Sequence, residues 1–240
     1  TLIRDGVPSI INHDDKTGIE AALQLKEQLG GTVTVVSMGP PQADVALREA
    51  LAMGCDDAYL VSAREFGGSD TYATSGIIAA ALKHIGYDLI ITGRQAIDGD
   101  TAQVGPQIAE KLHLPQVSYV EEVVEAAADH VVVKRQFEDG YHIIKIKTPC
   151  LLTAIAELAT PRYMSVRGIV EAYEKEIKVL GFEDLKDGLE LDMIGLKGSP
   201  TNVYQSFTKE VKGAGTKLEG LSADEAVKDI MDKLEAKFII

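Results

Sequence analysis

The feature that most constrains the fold is a polar, glycine-rich loop between an apolar run and a helical pattern. Leu89–Thr92 is almost wholly apolar, and residues 93–106 read Gly-Arg-Gln-Ala-Ile-Asp-Gly-Asp-Thr-Ala-Gln-Val-Gly-Pro. A helical pattern follows from Ile108. In α/β proteins, a loop at the carboxyl end of a parallel strand holds nucleotides, because N–H groups at the helix start attract phosphate. The order of strand, loop and helix therefore predicts a nucleotide site here.

The residue types in this loop suit a nucleotide. Its glycines let the backbone approach a ligand closely or adopt positive φ. Threonine and glutamine side chains add uncharged donors, and an arginine adds a fixed positive charge. We therefore expect cofactor-binding residues along the whole loop, namely Gly93, Arg94, Gln95, Ala96, Ile97, Asp98, Gly99, Asp100, Thr101, Ala102, Gln103 and Val104.

A second interpretation of the loop is an ordinary strand-to-helix connection, because neither the P-loop pattern nor G-x-G-x-x-G is present. In that case Asp100 caps the helix and Gln103 completes a capping box. Pro106 would then lie inside the helix and remove a backbone donor. Either the helix starts later or its first turn is distorted, and both arrangements leave amides free for a ligand.

Helix and strand patterns alternate from residue 15 to residue 112, which predicts right-handed βαβ units and a parallel sheet. The predicted helices cover residues 15–29, 42–52 and a stretch that Asp70 is expected to cap, and the predicted strands cover residues 32–37, 58–61 and 89–92. Aromatic residues make up 5% of the chain. We therefore expect a core of valine, isoleucine, leucine and alanine, as in a parallel sheet covered on both faces.

The pattern changes after Pro115. Strands are predicted at residues 117–124, 131–137, 141–147 and 151–155, with a hairpin turn at Asp139-Gly140 and a partly exposed edge. Residues 156–200 lack strong periodicity, and residues 160–168 are interpreted as a polar loop. A last helix, from Ser222 to Lys237, begins with a capping box completed by Glu225.

The fold class predicted from these patterns is α/β, with a parallel-sheet, Rossmann-like nucleotide-binding core, an added β-hairpin and a C-terminal helical arm. We assign residues 1–190 to the α/β domain and residues 191–240 to the arm. The arm either docks on a partner or folds back on the domain.

Composition excludes several functional classes. The net charge of −13 argues against a nucleic-acid surface or an anionic membrane partner. Two distant cysteines without a Cys/His cluster make a disulfide scaffold or a metal site improbable and suit buried thiols in a reducing compartment. No apolar run is long enough to span a membrane, and no signal peptide is seen, so a cytoplasmic location is expected.

Residues 12–15, Asn-His-Asp-Asp, precede the first predicted helix. They either form a plain N-cap or bring the helix start to a ligand, and the residues alone leave both interpretations open.

Several motifs in the same order resemble the electron transfer flavoprotein β subunit. The loop at residues 93–106 carries the strongest similarity. Further similar segments are Asp5–Val7 through Asn12, Val36–Pro40, Ala50–Gly54 and Pro161–Tyr163. The form Gly-Asp-Thr-Ala-Gln-Val-Gly-Pro at residues 99–106, together with Lys197–Thr201, is similar to the electron-bifurcating group of this family.

The resemblance implies a heterodimer with an FAD-carrying α subunit. The β subunit would take electrons from NADH (hence NAD as a cofactor) through its own FAD and pass them to the α-subunit FAD. The electrons would continue to an acyl-CoA dehydrogenase-type partner, with ferredoxin as the low-potential acceptor. Such a chain needs no catalytic acid or base and no metal, so whether it is itself an enzyme stays open. The alternatives are a non-bifurcating carrier subunit that holds structural AMP and, in another class, an ATP-hydrolysing or adenylate-sensing protein, for which no Walker-type lysine is present.

Carried over by residue, the nucleotide site would add Asn12, His13, Asp14, Asp15, Ser37 and Met38 to the loop. The partner-recognition segment would contain Arg162, Tyr163 and Val166.

The chain departs from the family pattern at two points. Valine replaces the usual leucine anchor at position 166, and acidic residues interrupt the usual basic run at positions 171–176, which favours a dedicated dehydrogenase partner. The family also begins with a strand and a lysine-containing loop before the position of Thr1. We therefore expect that the whole protein contains a segment before Thr1.

Overall fold

Helices and strands alternate through the first half of the chain, as predicted. The computed structural model describes residues 8–201, 203–205, 207, 211 and 213–240. The elements of the first half are α1 (His13–Leu29), β1 (Thr34–Met38), α2 (Asp44–Met53), β2 (Asp57–Val61), α3 (Thr71–Ile85), β3 (Leu89–Gly93) and α4 (Val104–Leu112).

The second half contains the predicted strands and the predicted terminal helix. It also contains two helices and one strand that were not predicted. Its elements are β4 (Gln116–Ala126), β5 (His130–Phe137), β6 (Gly140–Lys147), β7 (Cys150–Ala154), α5 (Val166–Glu174), β8 (Ile177–Leu180), α6 (Phe182–Leu185) and α7 (Ala223–Glu235).

The expectation of a loop through residue 168 was wrong from Val166 onward, where α5 begins. The helix meets α2 through small residues: Ala172 is its one buried residue, and a Cβ on Gly168 would lie 2.5 Å from the carbonyl oxygen of Ala52. Large apolar residues lie on its exposed side. Val166, Ile169, Val170 and Tyr173 follow the i, i+3, i+4, i+7 spacing of an apolar helical stripe, so the helix was encoded in the sequence, but this stripe faces solvent and not the core.

The predicted parallel core is confirmed, and in the described residues it forms two sheets. The first has the strand order β1-β2-β8, with all strands parallel. The second has the order β3-β7-β4-β5-β6, in which β3, β7 and β4 are parallel and the last three strands are antiparallel neighbours. The predicted hairpin is therefore β5–β6, and β6 is an exposed edge strand, as expected.

Strand β7 lies inside the second sheet, between β3 and β4, and all five of its residues are buried. The core consists mainly of valine, isoleucine, leucine and alanine, as predicted. Cys55 and Cys150 are buried free thiols, and burial raises the pKa of each to about 11.

Helix α1 contacts elements of both sheets. A Cβ on Gly18 would lie 3.0 Å from the Ile91 side chain of β3, so the helix approaches that strand closely. On another side, Ile19 packs against the cluster that contains Leu47 of α2 and Ala58 of β2. This position brings the start of α1 to the carboxyl end of β3.

The chain forms two compact units, which divide between Asn202 and Val203. This division lies beyond the predicted boundary at residue 190, because Ile194 is buried in the core of the first unit. In the second unit, α7 begins with the predicted capping box of Ser222 and Glu225. Its apolar residues Val227 and Ile230 are exposed.

Candidate functional site

The predicted loop begins where two parallel strands end side by side. Gly93 of β3 lies opposite Ala154 of β7, and the Arg94 N–H donates to the Ala154 carbonyl over 2.8 Å. The loop therefore leaves the carboxyl edge of the second sheet, which is where ligands bind in open parallel sheets.

The start of α1 holds this loop in place. Asn12 Nδ2 donates to the Gln95 carbonyl over 2.8 Å, and the Gly93 N–H donates to Asp15 Oδ1 over 2.5 Å. Asn12 Nδ2 also donates to Asp15 Oδ2 over 2.8 Å. Asn12 and Asp15, predicted as cofactor-binding residues, therefore use their side chains to join α1 to the loop.

At two of the loop's glycines, neighbouring atoms leave no room for a side chain. A Cβ on Gly93 would lie 2.8 Å from the Asp15 backbone nitrogen, and a Cβ on Gly105 would lie 2.7 Å from Thr92 Oγ1. Gly99 differs, because a Cβ there would meet no atom within 4 Å. Gly93 and Gly105 thus allow α1 and α4 to approach the strand ends, and Gly99 lies in open space.

Helix α4 starts later than a cap at Asp100 would require, so the capping-box interpretation was wrong. The helix begins at Val104, and Gln103 occupies the N-cap position without a side-chain cap. Asp100 instead has φ of 51° and accepts a 2.7 Å hydrogen bond from Gln95 Nε2. Pro106 is then the third helical residue, where its missing N–H removes no bond within the helix.

The two helix starts beside this loop, those of α1 and α4, lack side-chain caps. Neither α1, with Asn12 at the N-cap, nor α4, with Gln103, has a side-chain cap hydrogen bond. The helices α3, α5 and α7 are capped by Asp70, Ser165 and Ser222, and α2, away from this loop, also has no side-chain cap. Uncapped first-turn N–H groups carry the positive end of the helix dipole, so the two helix starts beside this loop favour an anion.

Two buried polar atoms at the strand end have no hydrogen-bond partner among the described residues, namely Thr92 Oγ1 and Arg94 Nε. Arg94 Nε lies 3.5 Å from Asp14 Oδ2, which is an ionic contact without hydrogen-bond geometry. Burial raises the pKa of Asp14, and the nearby Arg94 charge opposes that rise. A buried polar group without a partner is costly, so these two atoms point to a polar ligand.

The start of α3 also reaches this site, which the sequence analysis missed. The Thr71 hydroxyl donates to Gln103 Oε1 over 2.9 Å. Asp70 accepts the Ala73 N–H over 3.0 Å and the Thr201 N–H over 2.9 Å, and Ser199 Oγ accepts the Asp70 N–H over 2.8 Å. These contacts bring residues 199–201 to the helix start. No local pattern could reveal the contacts of Thr71 with Gln103 or of Asp70 with Ser199 and Thr201, because these partners lie far apart in sequence.

The remaining predicted cofactor residues are dispersed. The loop residues Ala96, Ile97, Asp98 and Thr101 are exposed, and so is His13. Ser37 and Met38 lie at the end of β1 in the other sheet, where Met38 packs against the cluster that contains Val61. In the described part of the chain, no hydrogen bond joins Ser37 or Met38 to the loop.

The predicted partner-recognition residues separate into two groups. Arg162 is bound within the chain, because its guanidinium contacts Glu20 and Glu27 of α1. Tyr163 is 100% exposed and Val166 is 81% exposed. The two apolar residues are thus available at the surface, and the arginine is engaged.

Two kinds of feature are absent from the described residues. These residues contain no group of three or more histidine, cysteine, aspartate or glutamate residues that could hold a metal ion. In this part of the chain, no helix combines the length and the apolar character needed to cross a membrane.

Comparison with known proteins identifies the family. Residues 1–185 match the family described as the electron transfer flavoprotein domain. The chain is 54% identical to the electron transfer flavoprotein subunit beta of Thermoanaerobacterium thermosaccharolyticum, across 100% of this chain and 91% of the relative. It is 55% identical to the acryloyl-CoA reductase electron transfer subunit gamma of Anaerotignum propionicum, again across 100% and 91%. It is 51% identical to the caffeyl-CoA reductase-Etf complex subunit CarD of Acetobacterium woodii, with the same coverage.

Proposed function

The chain belongs to the electron transfer flavoprotein family, with the electron-transfer role of a β subunit, and from this premise we propose that the loop after β3 binds FAD. The observation that carries the proposal is the pair of uncapped helix starts, α1 and α4, on either side of one loop. Their free N–H groups suit the pyrophosphate of a dinucleotide.

The residues present fit such a cofactor. Thr92 Oγ1 and Arg94 Nε are buried without hydrogen-bond partners in the described residues, so a polar ligand would satisfy both. The first-turn N–H groups of Val104 and Gly105 would hold phosphate oxygens, and Arg94 would add a positive charge that favours reduced flavin. FAD, when bound, supplies the electron chemistry, and the chain supplies binding, orientation and charge.

The proposed route runs from NADH through this FAD to the FAD of the α subunit. From there it continues to an acyl-CoA dehydrogenase-type partner, and ferredoxin is the low-potential acceptor. Support comes from the names of two relatives, one an electron transfer subunit of acryloyl-CoA reductase and the other a subunit of a caffeyl-CoA reductase-Etf complex. The buried free thiols support a reducing, cytoplasmic location.

The alternative is structural AMP in the same pocket, since both ligands present phosphate to the helix starts. Flavin stoichiometry of the purified αβ heterodimer separates the two. Two flavins per heterodimer support FAD in this chain, and one flavin together with bound AMP supports the alternative.

Arg94→Ala tests the site itself. Loss of a charged hydrogen-bond donor should weaken β-chain flavin binding about 10- to 100-fold, so that flavin falls from two toward one per heterodimer. Arg64→Ala is the matched control, because Arg64 is exposed at the surface. Equal flavin content in both variants would contradict the proposed site.

We further propose that the exposed apolar side of α5, with Tyr163 before it, docks the dehydrogenase partner. We call residues 163–173 the docking segment. Val166 is 81% exposed, and Tyr173 is 72% exposed. An exposed apolar patch of this kind is typical of an interaction site. Val166→Asp should raise the KM for the dehydrogenase, and Val45→Asp, at a valine that is 62% exposed on α2, should leave it unchanged.

A further inference from the structure

Arg162, which precedes the docking segment, makes a dense set of bonds to α1. Its Nε donates to Glu20 Oε2 over 2.8 Å, and a second guanidinium nitrogen donates to Glu20 Oε1 over 3.0 Å. The Arg162 backbone N–H donates to the same carboxylate over 3.1 Å. A third guanidinium nitrogen donates to Glu27 Oε1 over 2.7 Å. One arginine thus bridges two carboxylates on one side of α1.

The two carboxylates differ in their surroundings. The Glu20 side chain is 5% exposed, and the Glu27 side chain is 60% exposed. A buried carboxylate without its cation would be strongly unfavourable, so the Glu20 bond fixes the arginine in place. The exposed Glu27 bond adds little, because water screens it.

The far end of the docking segment is also fixed. Arg48 of α2 donates through one nitrogen to the Ala172 carbonyl over 2.6 Å and to the Lys175 carbonyl over 2.5 Å. The Lys175 ammonium donates to the Cys55 carbonyl over 2.8 Å. The segment is therefore held at both ends, and its large apolar side chains face outward.

We propose that Arg162 is a positioning residue, which ties the docking segment to α1 and does not itself bind the partner. The inference rests on the proposed docking role of residues 163–173. A docking surface that is ordered before binding pays less conformational entropy on association, so this arrangement raises affinity for the dehydrogenase.

Arg162→Lys in the purified αβ heterodimer tests the proposal. Lysine keeps the charge, but it cannot reproduce the forked bonds to two carboxylates. Hydrogen exchange of peptides from residues 163–173 should become about tenfold faster, because the bonds that hold the segment to α1 are lost. The KM for an acyl-CoA dehydrogenase of the same organism should rise about tenfold, with kcat within about twofold of the unaltered protein.

Two further variants control for folding and for charge. Glu27→Gln alters the exposed contact alone, so both exchange and KM should stay unchanged. The double variant Glu20→Gln/Arg162→Gln removes both charges and leaves no buried unpaired carboxylate, so the chain should fold and repeat the effect of Arg162→Lys.

The other outcomes separate this inference from the docking role. A higher KM in Arg162→Lys with unchanged exchange would mean that Arg162 contacts the partner directly, which would overturn the positioning role. Unchanged exchange together with unchanged KM would overturn it as well. Faster exchange with an unchanged KM would show that Arg162 holds the segment to α1, and it would overturn the docking role of residues 163–173.

Discussion

Gly93 and Gly99 belong to the same loop, yet their surroundings give them different tasks. A Cβ on Gly93 would lie 2.8 Å from the Asp15 backbone nitrogen and 3.0 Å from side-chain atoms of Asn12 and Asp14. Around Gly99 no atom lies within 4 Å of that position. The first glycine is therefore a packing requirement between β3 and α1, and the second leaves the exposed part of the loop without a side chain.

The two glycines provide a matched test. Gly93→Ala should lower the free energy of unfolding by about 1–3 kcal/mol, because the added methyl group forces the α1 start away from the strand. The same change should lower flavin content, since Asn12 and Asp15 would no longer hold the loop. Gly99→Ala should change neither quantity. Urea unfolding measures the free energy of unfolding, and the visible spectrum of the heterodimer measures its flavin content. Equal values of these quantities in Gly93→Ala and Gly99→Ala would contradict the packing argument.

Glu20 provides a pH-dependent test at the same scale. Burial raises its pKa, but hydrogen bonds from Arg162 and Gln24 outweigh that effect, and the net pKa is lowered. A carboxyl with a lowered folded-state pKa contributes stability above its unfolded pKa of about 4.3, and that stability is lost as pH falls through the folded value.

Glu20→Gln should therefore be less stable than the unaltered protein at pH 7, and the difference should shrink as pH falls below about 4.3. Urea unfolding at a series of pH values measures this. Glu27→Gln, which alters an exposed carboxylate, should show a much smaller difference at every pH. A constant gap between Glu20→Gln and the unaltered protein would rule out the ionic bond as its cause.

At the scale of elements, the start of α3 links two distant parts of the first compact unit. Asp70 caps the helix through Ala73 and also binds the N–H of Thr201. Burial raises the pKa of Asp70, but hydrogen bonds from Ala73 and Thr201 outweigh it and lower the pKa overall. One carboxylate therefore fixes both a helix start and the segment that ends at Thr201.

Asp70→Ala should cost about 1–2 kcal/mol of stability through loss of the cap. It should also release residues 196–201 from the helix start, so that limited proteolysis of the heterodimer cuts there sooner. Ser222→Ala removes the cap of α7 in the other compact unit, and it should not alter cleavage at residues 196–201. Unchanged cleavage in Asp70→Ala would mean that the Thr201 contact does not hold this segment.

At the scale of the whole molecule, the chain carries a second compact unit, Val203–Ile240, whose helix exposes Val227 and Ile230. An amphipathic helix with an exposed apolar side suits docking in a groove of another protein. We propose the α subunit as that protein, in line with the expected role of the arm.

A chain that ends after Thr201 should still fold, because the core clusters lie within the first unit. It should fail to copurify with the α subunit. The full-length double variant Val227→Lys/Ile230→Lys should also fail, and Lys228→Gln, a change of one exposed polar residue on the same helix, should copurify normally. Copurification of the shortened chain would refute the docking role of the arm.

Much of the fold follows from local patterns. The alternation of helix and strand, the hairpin at Asp139-Gly140 and the caps at Asp70 and Ser222 are all confirmed. Each depends on residues close together in the chain. The elements that were missed are α5, β8 and α6. Strand β8 and helix α6 have four residues each, too few for a periodic pattern, and α5 exposes its apolar stripe while it meets α2 through glycine and alanine.

The order of short motifs along the chain was enough to establish the α/β class, the position of the glycine-rich loop after β3 and the family. The roles of individual side chains, in contrast, followed from contacts made in the folded chain. Asp15 binds a residue 78 positions away, Asn12 one 83 positions away, and Arg162 one 142 positions away. A charged or amide side chain can bind a ligand, a partner or its own chain with the same chemistry. Which of these it meets depends on the packing of α1 against both sheets, and no local pattern encodes that contact.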